Sequence, residues 1–131
     1  MKILIVEDDF ISRCIIKEIL SPYGTCEIAV DGREALDMFK TSLEKDSPYD
    51  LICLDFMMPE MNGQNVLKSI RGFEAVTRKT GSESVKIVMT TALGDEATIR
   101  NAFRDECNGY LVKPISKTRL LETLKGLGLL K

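Results

Sequence analysis

Leu51-Ile52-Cys53-Leu54-Asp55-Phe56-Met57-Met58-Pro59-Glu60-Met61-Asn62-Gly63 sets a four-residue apolar run directly against an acid and then against turn residues. An uninterrupted apolar run of this length, bounded by turn signals, reads as a strand covered on both faces. Asp55 therefore stands at the rim of a sheet, where a carboxylate is open to chemistry. Three other runs end likewise: Ile3 to Val6 meets Glu7, Asp8 and Asp9; Val85 to Met89 meets Thr90 and Thr91; Tyr110 to Val112 meets Lys113-Pro114. Four segments far apart in the chain thus finish in polar groups suited to phosphate or metal.

Working outward, short apolar runs alternate with stretches of helical period, the pattern of a parallel sheet with helices on both faces. Strands are expected at about 2–6, 26–30, 50–54, 85–90 and 109–112. The continuously apolar ones should be central, and the more mixed Cys26 to Val30 suits an edge. Between them lie helical repeats at Ile11, Ile15 and Ile19; at Ala35, Leu36, Phe39 and Leu43; at Val66, Leu67, Ile70 and Phe73; at Ile99, Ala102 and Phe103; and at Leu120, Leu121, Leu124 and Leu127. Asp95 and Ser116 are placed to cap helix N-termini, and Gly126 and Gly128 to end the last helix. Thr41 to Tyr49 and Thr77 to Ser84 read as polar loops or helix ends that elaborate the surface. Right-handed crossovers bring all the strand C-termini to one edge, where open α/β sheets carry their ligand crevice, so the polar groups converge.

With 131 residues the chain is expected to form a single domain, 1–131. Its 44% apolar and 29% charged content is that of a globular protein, and a formal charge of −2 with mixed signs gives no support for a nucleic-acid surface. The apolar runs are too short for membrane insertion or a signal-peptide core, so a cytoplasmic location is expected. Cys14, Cys26, Cys53 and Cys107 form no C-x-x-C pair, which argues for buried reduced thiols rather than zinc or a redox dithiol. There is no histidine. That removes Ser/His and Cys/His nucleophiles, and the chain cannot itself carry a phosphohistidine.

Glu7, Asp8 and Asp55 brought together repel one another unless a cation lies among them. Oxygen ligands select a hard ion, and Mg2+ suits a small site that keeps some waters, with Mn2+ the alternative. With the ion and the Lys113 ammonium in place, such a cluster can accept a phosphoryl group on Asp55, because in-line transfer needs positioning and charge neutralisation more than covalent help.

Glu7-Asp8-Asp9, Asp55 with Met58-Pro59 and Gly63, Thr91-Ala92, and Gly109-Tyr110 with Lys113-Pro114 together resemble the receiver domain of two-component response regulators, in order and over the whole chain. The stand-alone, CheY-like type is the one it most resembles. The resemblance implies a three-layer (βα)5 flavodoxin-like fold with strand order 2-1-3-4-5, and phosphorylation of Asp55 by a partner histidine kinase. It implies that Asp8, Asp55 and the Met57 backbone carbonyl bind Mg2+ directly and that Glu7 does so through water. Arg13 then falls where the first helix of the family carries a basic residue. Asp9, the spare acid, has two open readings: N-cap of the first helix, or a place near the ion. Lys113 would pair with the phosphoryl oxygens, and the peptide before Pro114 would be cis.

Thr90 competes with Thr91 for the role of switch hydroxyl, but Ala92 follows Thr91 as in the family, which assigns it to Thr91, with Tyr110 the partner aromatic. The resemblance places Met57 and Leu93 at positions that flank the acyl phosphate and tune its loss; two apolar side chains there should shield it. Signal would leave through the face made by the helices near 95–104 and 116–127 and the strand between them, read by a downstream protein target. A chemotaxis-type output is favoured, with a phosphorelay carrier or phosphate sink as the alternative, and the protein is expected to be a monomer or weak dimer and a switch rather than an enzyme. Two rivals remain. An aspartyl-nucleophile phosphohydrolase needs a second aspartate two residues after the first, where Met57 stands. A flavin-binding module could use the same architecture.

Overall fold

The structure is a computed structural model, and the residues described are 1–58, 61–77, 84–92, 97 and 106–131. Five parallel strands, β1 (Lys2–Val6), β2 (Thr25–Ala29), β3 (Leu51–Asp55), β4 (Lys86–Thr91) and β5 (Gly109–Val112), form one sheet in the order β2-β1-β3-β4-β5. The described helices are α1 (Phe10–Leu20), α2 (Gly32–Glu44), α3 (Gly63–Thr77) and α4 (Lys117–Gly126). This is the expected doubly wound α/β architecture. The helix expected around Ile99, Ala102 and Phe103, with its Asp95 cap, lies outside the described residues, as does most of the Thr77 to Ser84 segment.

Strand alternation divides the core in two. Leu4, Val6, Ile52, Leu54, Ile87 and Met89 pack against Ala35 and Phe39 of α2 and Val66, Leu67 and Ile70 of α3. Ile3, Ile5, Leu51, Cys53, Val88 and Leu111 pack against Ile16, Ile19 and Leu20 of α1 and Leu120 and Leu124 of α4. The continuously apolar strands β1, β3 and β4 are the inner three, and β2 is an edge, as their composition requires. Side-chain oxygens of Asp9, Asp31 and Ser116 accept the backbone N–H groups of Ser12, Glu34 and Arg119, capping α1, α2 and α4. Each such cap contributes about 1 kcal/mol. Gly126 closes α4, and Gly128, at φ +80°, turns the chain away.

Several boundaries differ from expectation. β3 includes Asp55, because the ladder to β4 continues to the pair Asp55–Thr90. In α1 the inward stripe is Ile16, Ile19 and Leu20, whereas Ile11 and Ile15 are 68% and 38% exposed. The four-residue repeat drifts around a 3.6-residue helix, so residues at that spacing leave the inward face within a few turns. Thr41 to Glu44 belongs to α2, and Tyr49 is buried, donating its hydroxyl hydrogen to Glu27 Oε1 at 2.6 Å. That segment is partly core rather than surface elaboration. The four thiols are free, but only Cys53 is buried and Cys14 is exposed. Among the described residues no helix is long and apolar enough to cross a membrane.

Candidate functional site

The C-terminal ends of β1, β3, β4 and β5 meet at one rim, and each delivers a polar side chain there. Past β1, the Glu7 N–H is fixed to Ala29 O at 3.1 Å, so the chain leaves the sheet with Glu7 buried and Asp8 exposed. Asp55 ends β3 and is also buried. The loop after it is tied down on both sides, Phe56 N–H donating to Thr90 O at 2.9 Å and Gly63 N–H to Phe56 O at 2.9 Å. The Lys113 N–H donates to Thr91 O at 2.7 Å, which turns its side chain back over the rim, and the Lys113–Pro114 peptide is cis.

One carboxylate oxygen from each of Glu7, Asp8 and Asp55 lies within 4.8 Å of the others. Lys113 Nζ sits 2.8 Å from Glu7 Oε1 and 3.3 Å from Asp55 Oδ1. Three carboxylates against one ammonium leave an excess of negative charge, and two of the three, Glu7 and Asp55, are buried. The consequence shows at Asp55: burial, then the neighbouring Glu7, push its carboxyl up to about 8, while Lys113 and the Met57 N–H pull the other way. At Lys113 the desolvation that would lower its pKa is outweighed by Glu7 and Asp55, so the ammonium is held more firmly than usual. The donor set is all oxygen, and buried Glu7 Oε1 meets the ammonium as an ion pair without accepting an aligned hydrogen bond. Residues of this kind fit a small divalent cation.

Of the other expected residues, Met57 donates its N–H to Asp55 Oδ1 at 3.2 Å and its side chain is 62% exposed beside the pocket. Thr91 is buried and its hydroxyl donates to Ala92 O at 3.3 Å. Tyr110, on β5, packs against the core on the α2 and α3 side. Asp9 stands at the α1 N-cap, accepting Ser12 N–H at 2.9 Å, outside the three-carboxylate cluster. Leu93 lies outside the described residues. Sequence reasoning noted Arg13 only as a basic position and missed its contact: its guanidinium donates to Glu7 O at 3.2 Å and Asp8 O at 3.5 Å, holding the loop that presents both acids. An arginine one helical turn beyond an acidic loop was the available signal.

The chain matches the family model for the response regulator receiver domain over residues 3–125. It is 33% identical to the chemotaxis protein CheY of Bacillus subtilis over 125 residues, 94% of this chain and 93% of that one. It is 36% identical over 122 residues to a segment of the osmosensing histidine protein kinase SLN1 of Saccharomyces cerevisiae, covering 92% of this chain but only 9% of SLN1. A CheY-like receiver domain protein of Methanospirillum hungatei superposes with a TM-score of 0.72 at 26% identity, over 98% of this chain and 95% of that one. The chain belongs to the response regulator receiver domain family.

Proposed function

We propose that the chain, as a single domain over 1–131, is a phosphorylation-driven switch in which Asp55 takes a phosphoryl group from a phosphohistidine of a partner histidine kinase. Asp55 Oδ bonds to phosphorus as the histidine N–P bond breaks and its electron pair returns to the imidazole. Asp8, Asp55 and the Met57 carbonyl would hold Mg2+, or Mn2+, with Glu7 joined through water. The ion, when bound, neutralises charge on the transferring oxygens. Lys113 supplies the opposing cation and orients the group, and burial of Asp55 limits water at the acceptor. The observation that carries this reading is the Lys113 ammonium within ion-pair distance of Asp55, beside two further carboxylates.

Phosphorylation adds charge and acceptor oxygens at the rim, and Thr91 and Lys113 lie at the ends of the neighbouring strands. Driving a switch from mostly off to mostly on takes about 5.5 kcal/mol. A charge-assisted hydrogen bond contributes roughly 1.5–3 kcal/mol, so two or three new contacts, from Thr91, Lys113 and a backbone amide, suffice. Thr91 moves toward the phosphoryl group, Tyr110 turns inward behind it, and the face carrying β5 and α4 is read by a protein partner in the cytoplasm. The CheY relative favours a chemotaxis-type output. The match to a segment of SLN1 favours a second reading, a carrier passing the phosphoryl group onward.

The test is incubation with acetyl phosphate and Mg2+, followed by intact mass and peptide mapping. One phosphoryl group on Asp55, lost in Asp55→Asn and dependent on the divalent ion, is the expected result; an unchanged mass overturns the reading.

A further inference from the structure

Thr90 is 2% exposed, and its hydroxyl has no hydrogen-bond partner among the described residues. A buried unsatisfied hydroxyl is uncommon and calls for a reason. Its neighbour differs: Thr91 already donates to Ala92 O and follows Met89 in the strand alternation, toward α2 and α3. Thr90 follows Val88, toward α1 and α4, and its register partner on β3 is Asp55, which follows Cys53 toward the same face. Side chains paired in register on adjacent parallel strands stand side by side, with the strands about 4.8 Å apart. Placed this way, the Thr90 hydroxyl has the Asp55 carboxylate on its own side of the sheet, and staggered χ1 rotamers give it more than one direction in which to donate.

We propose that the Thr90 hydroxyl donates to the Asp55 oxygen bonded to phosphorus in the acyl phosphate and so hastens loss of the phosphoryl group; this rests on Asp55 being the acceptor. In that loss a water oxygen bonds to phosphorus, the P–Oδ bond breaks with its electron pair returning to the Asp55 carboxylate, and the water proton leaves to solvent. Charge develops on the departing oxygen, where a donor counts for more than it does on the intact acyl phosphate. Among the described residues the hydroxyl has no competing partner at rest.

The experiment loads wild type, Thr90→Val and Thr90→Ser with acetyl phosphate and Mg2+, removes the donor and follows the phosphorylated fraction by intact mass. Losing one neutral hydrogen bond should lengthen the lifetime of Thr90→Val about fivefold, and Thr90→Ser should stay near wild type. The urea midpoint of Thr90→Val should equal or exceed that of wild type, because an isosteric methyl replaces a hydroxyl with no partner among the described residues. Equal lifetimes for wild type and Thr90→Val overturn the proposal. So does a lifetime in Thr90→Ser as long as in Thr90→Val, or a lowered midpoint in Thr90→Val, which would reveal a partner at rest. Wild type that takes up no phosphoryl group instead overturns the reading of Asp55 itself.

Discussion

Lys113 Nζ lies 3.3 Å from Asp55 Oδ1 and 2.8 Å from Glu7 Oε1, one ammonium set against two buried acids. Replacing it by methionine keeps the stem and removes the charge. The Lys113 side chain is 25% exposed, so the effect is smaller than for a fully buried pair; an unfolding free energy lowered by about 1–2 kcal/mol is expected. Glu7→Gln in the Lys113→Met background should recover part of the loss, because it removes the buried charge left without its cation. Urea unfolding of the four proteins in a double-mutant cycle measures this, and full additivity would count against it.

The raised Asp55 carboxyl gives stability a definite dependence on pH. Its folded-state pKa, about 8, exceeds the ordinary 3.8, so the folded protein keeps a proton that the unfolded chain releases. Stability from this group is fully present below the ordinary value and is lost as pH rises from there to about 8. Lys113 does not counter the trend, since a raised ammonium pKa keeps its contribution until more alkaline pH. The protein without divalent ion should therefore unfold at lower urea near pH 8 than near pH 5, and millimolar Mg2+ should flatten the difference by binding the ionised cluster.

Met57 is 62% exposed while its N–H is held on Asp55 Oδ1, so its side chain stands at the mouth of the pocket. An apolar cover there hinders water from approaching the acyl phosphate, and an amide in its place would hydrogen-bond that water. Met57→Asn is expected to shorten the phosphorylated lifetime by roughly tenfold, a barrier change of about 1.4 kcal/mol. Equal lifetimes, read by intact mass, would mean that the thioether merely fills space.

Gly63 comes so close to the end of β3 that a β-carbon on it would lie 2.5 Å from Asp55 O and 2.9 Å from both Phe56 Cα and Met89 Cε. Two of those three atoms are backbone and cannot step aside cheaply. Gly63→Ala should destabilise by about 1–3 kcal/mol through overpacking. It should also slow phosphorylation of Asp55 by acetyl phosphate at saturating Mg2+, because the strand end that carries the acceptor is displaced.

Much of the fold was legible because the continuous apolar runs mark the central strands to within a residue, and because the runs of β1, β3, β4 and β5 each end in a polar residue on the same rim. Asp55, Lys113 and the N-terminal acids could be named for that reason. The helices were less legible: Ile11 and Ile15 are as apolar as Ile16 and Ile19, and only the packing of α1 on the sheet decides which are covered. Contacts that depend on close three-dimensional approach were not visible at all. The grip of Arg13 on the Glu7 and Asp8 carbonyls is one. Another is the network around Arg71, whose partners lie 3, 14, 35 and 37 residues away in sequence.

That network sits at the N-terminal ends of the strands, away from the carboxylate cluster, and separates stability from chemistry. Buried Glu74 accepts the Val85 N–H and the Arg71 guanidinium, each at 2.6 Å, fixing the start of β4 against α3. Arg71 also donates to Val85 O, Glu106 O and Asn108 Oδ1, and the same Asn108 oxygen accepts Ile87 N–H at 2.8 Å. Removing one partner of a buried pair costs about 3–5 kcal/mol. Arg71 is 20% exposed and keeps three oxygen acceptors, so Glu74→Ala is expected to cost about 2–3 kcal/mol, much of it from the orphaned Val85 N–H. Because β4 remains zipped to β3 as far as Thr90, the rim should keep its geometry. The variant should then lose urea resistance while its folded fraction takes phosphoryl from acetyl phosphate at the wild-type rate. A parallel fall in that rate would show that the two ends of β4 are coupled.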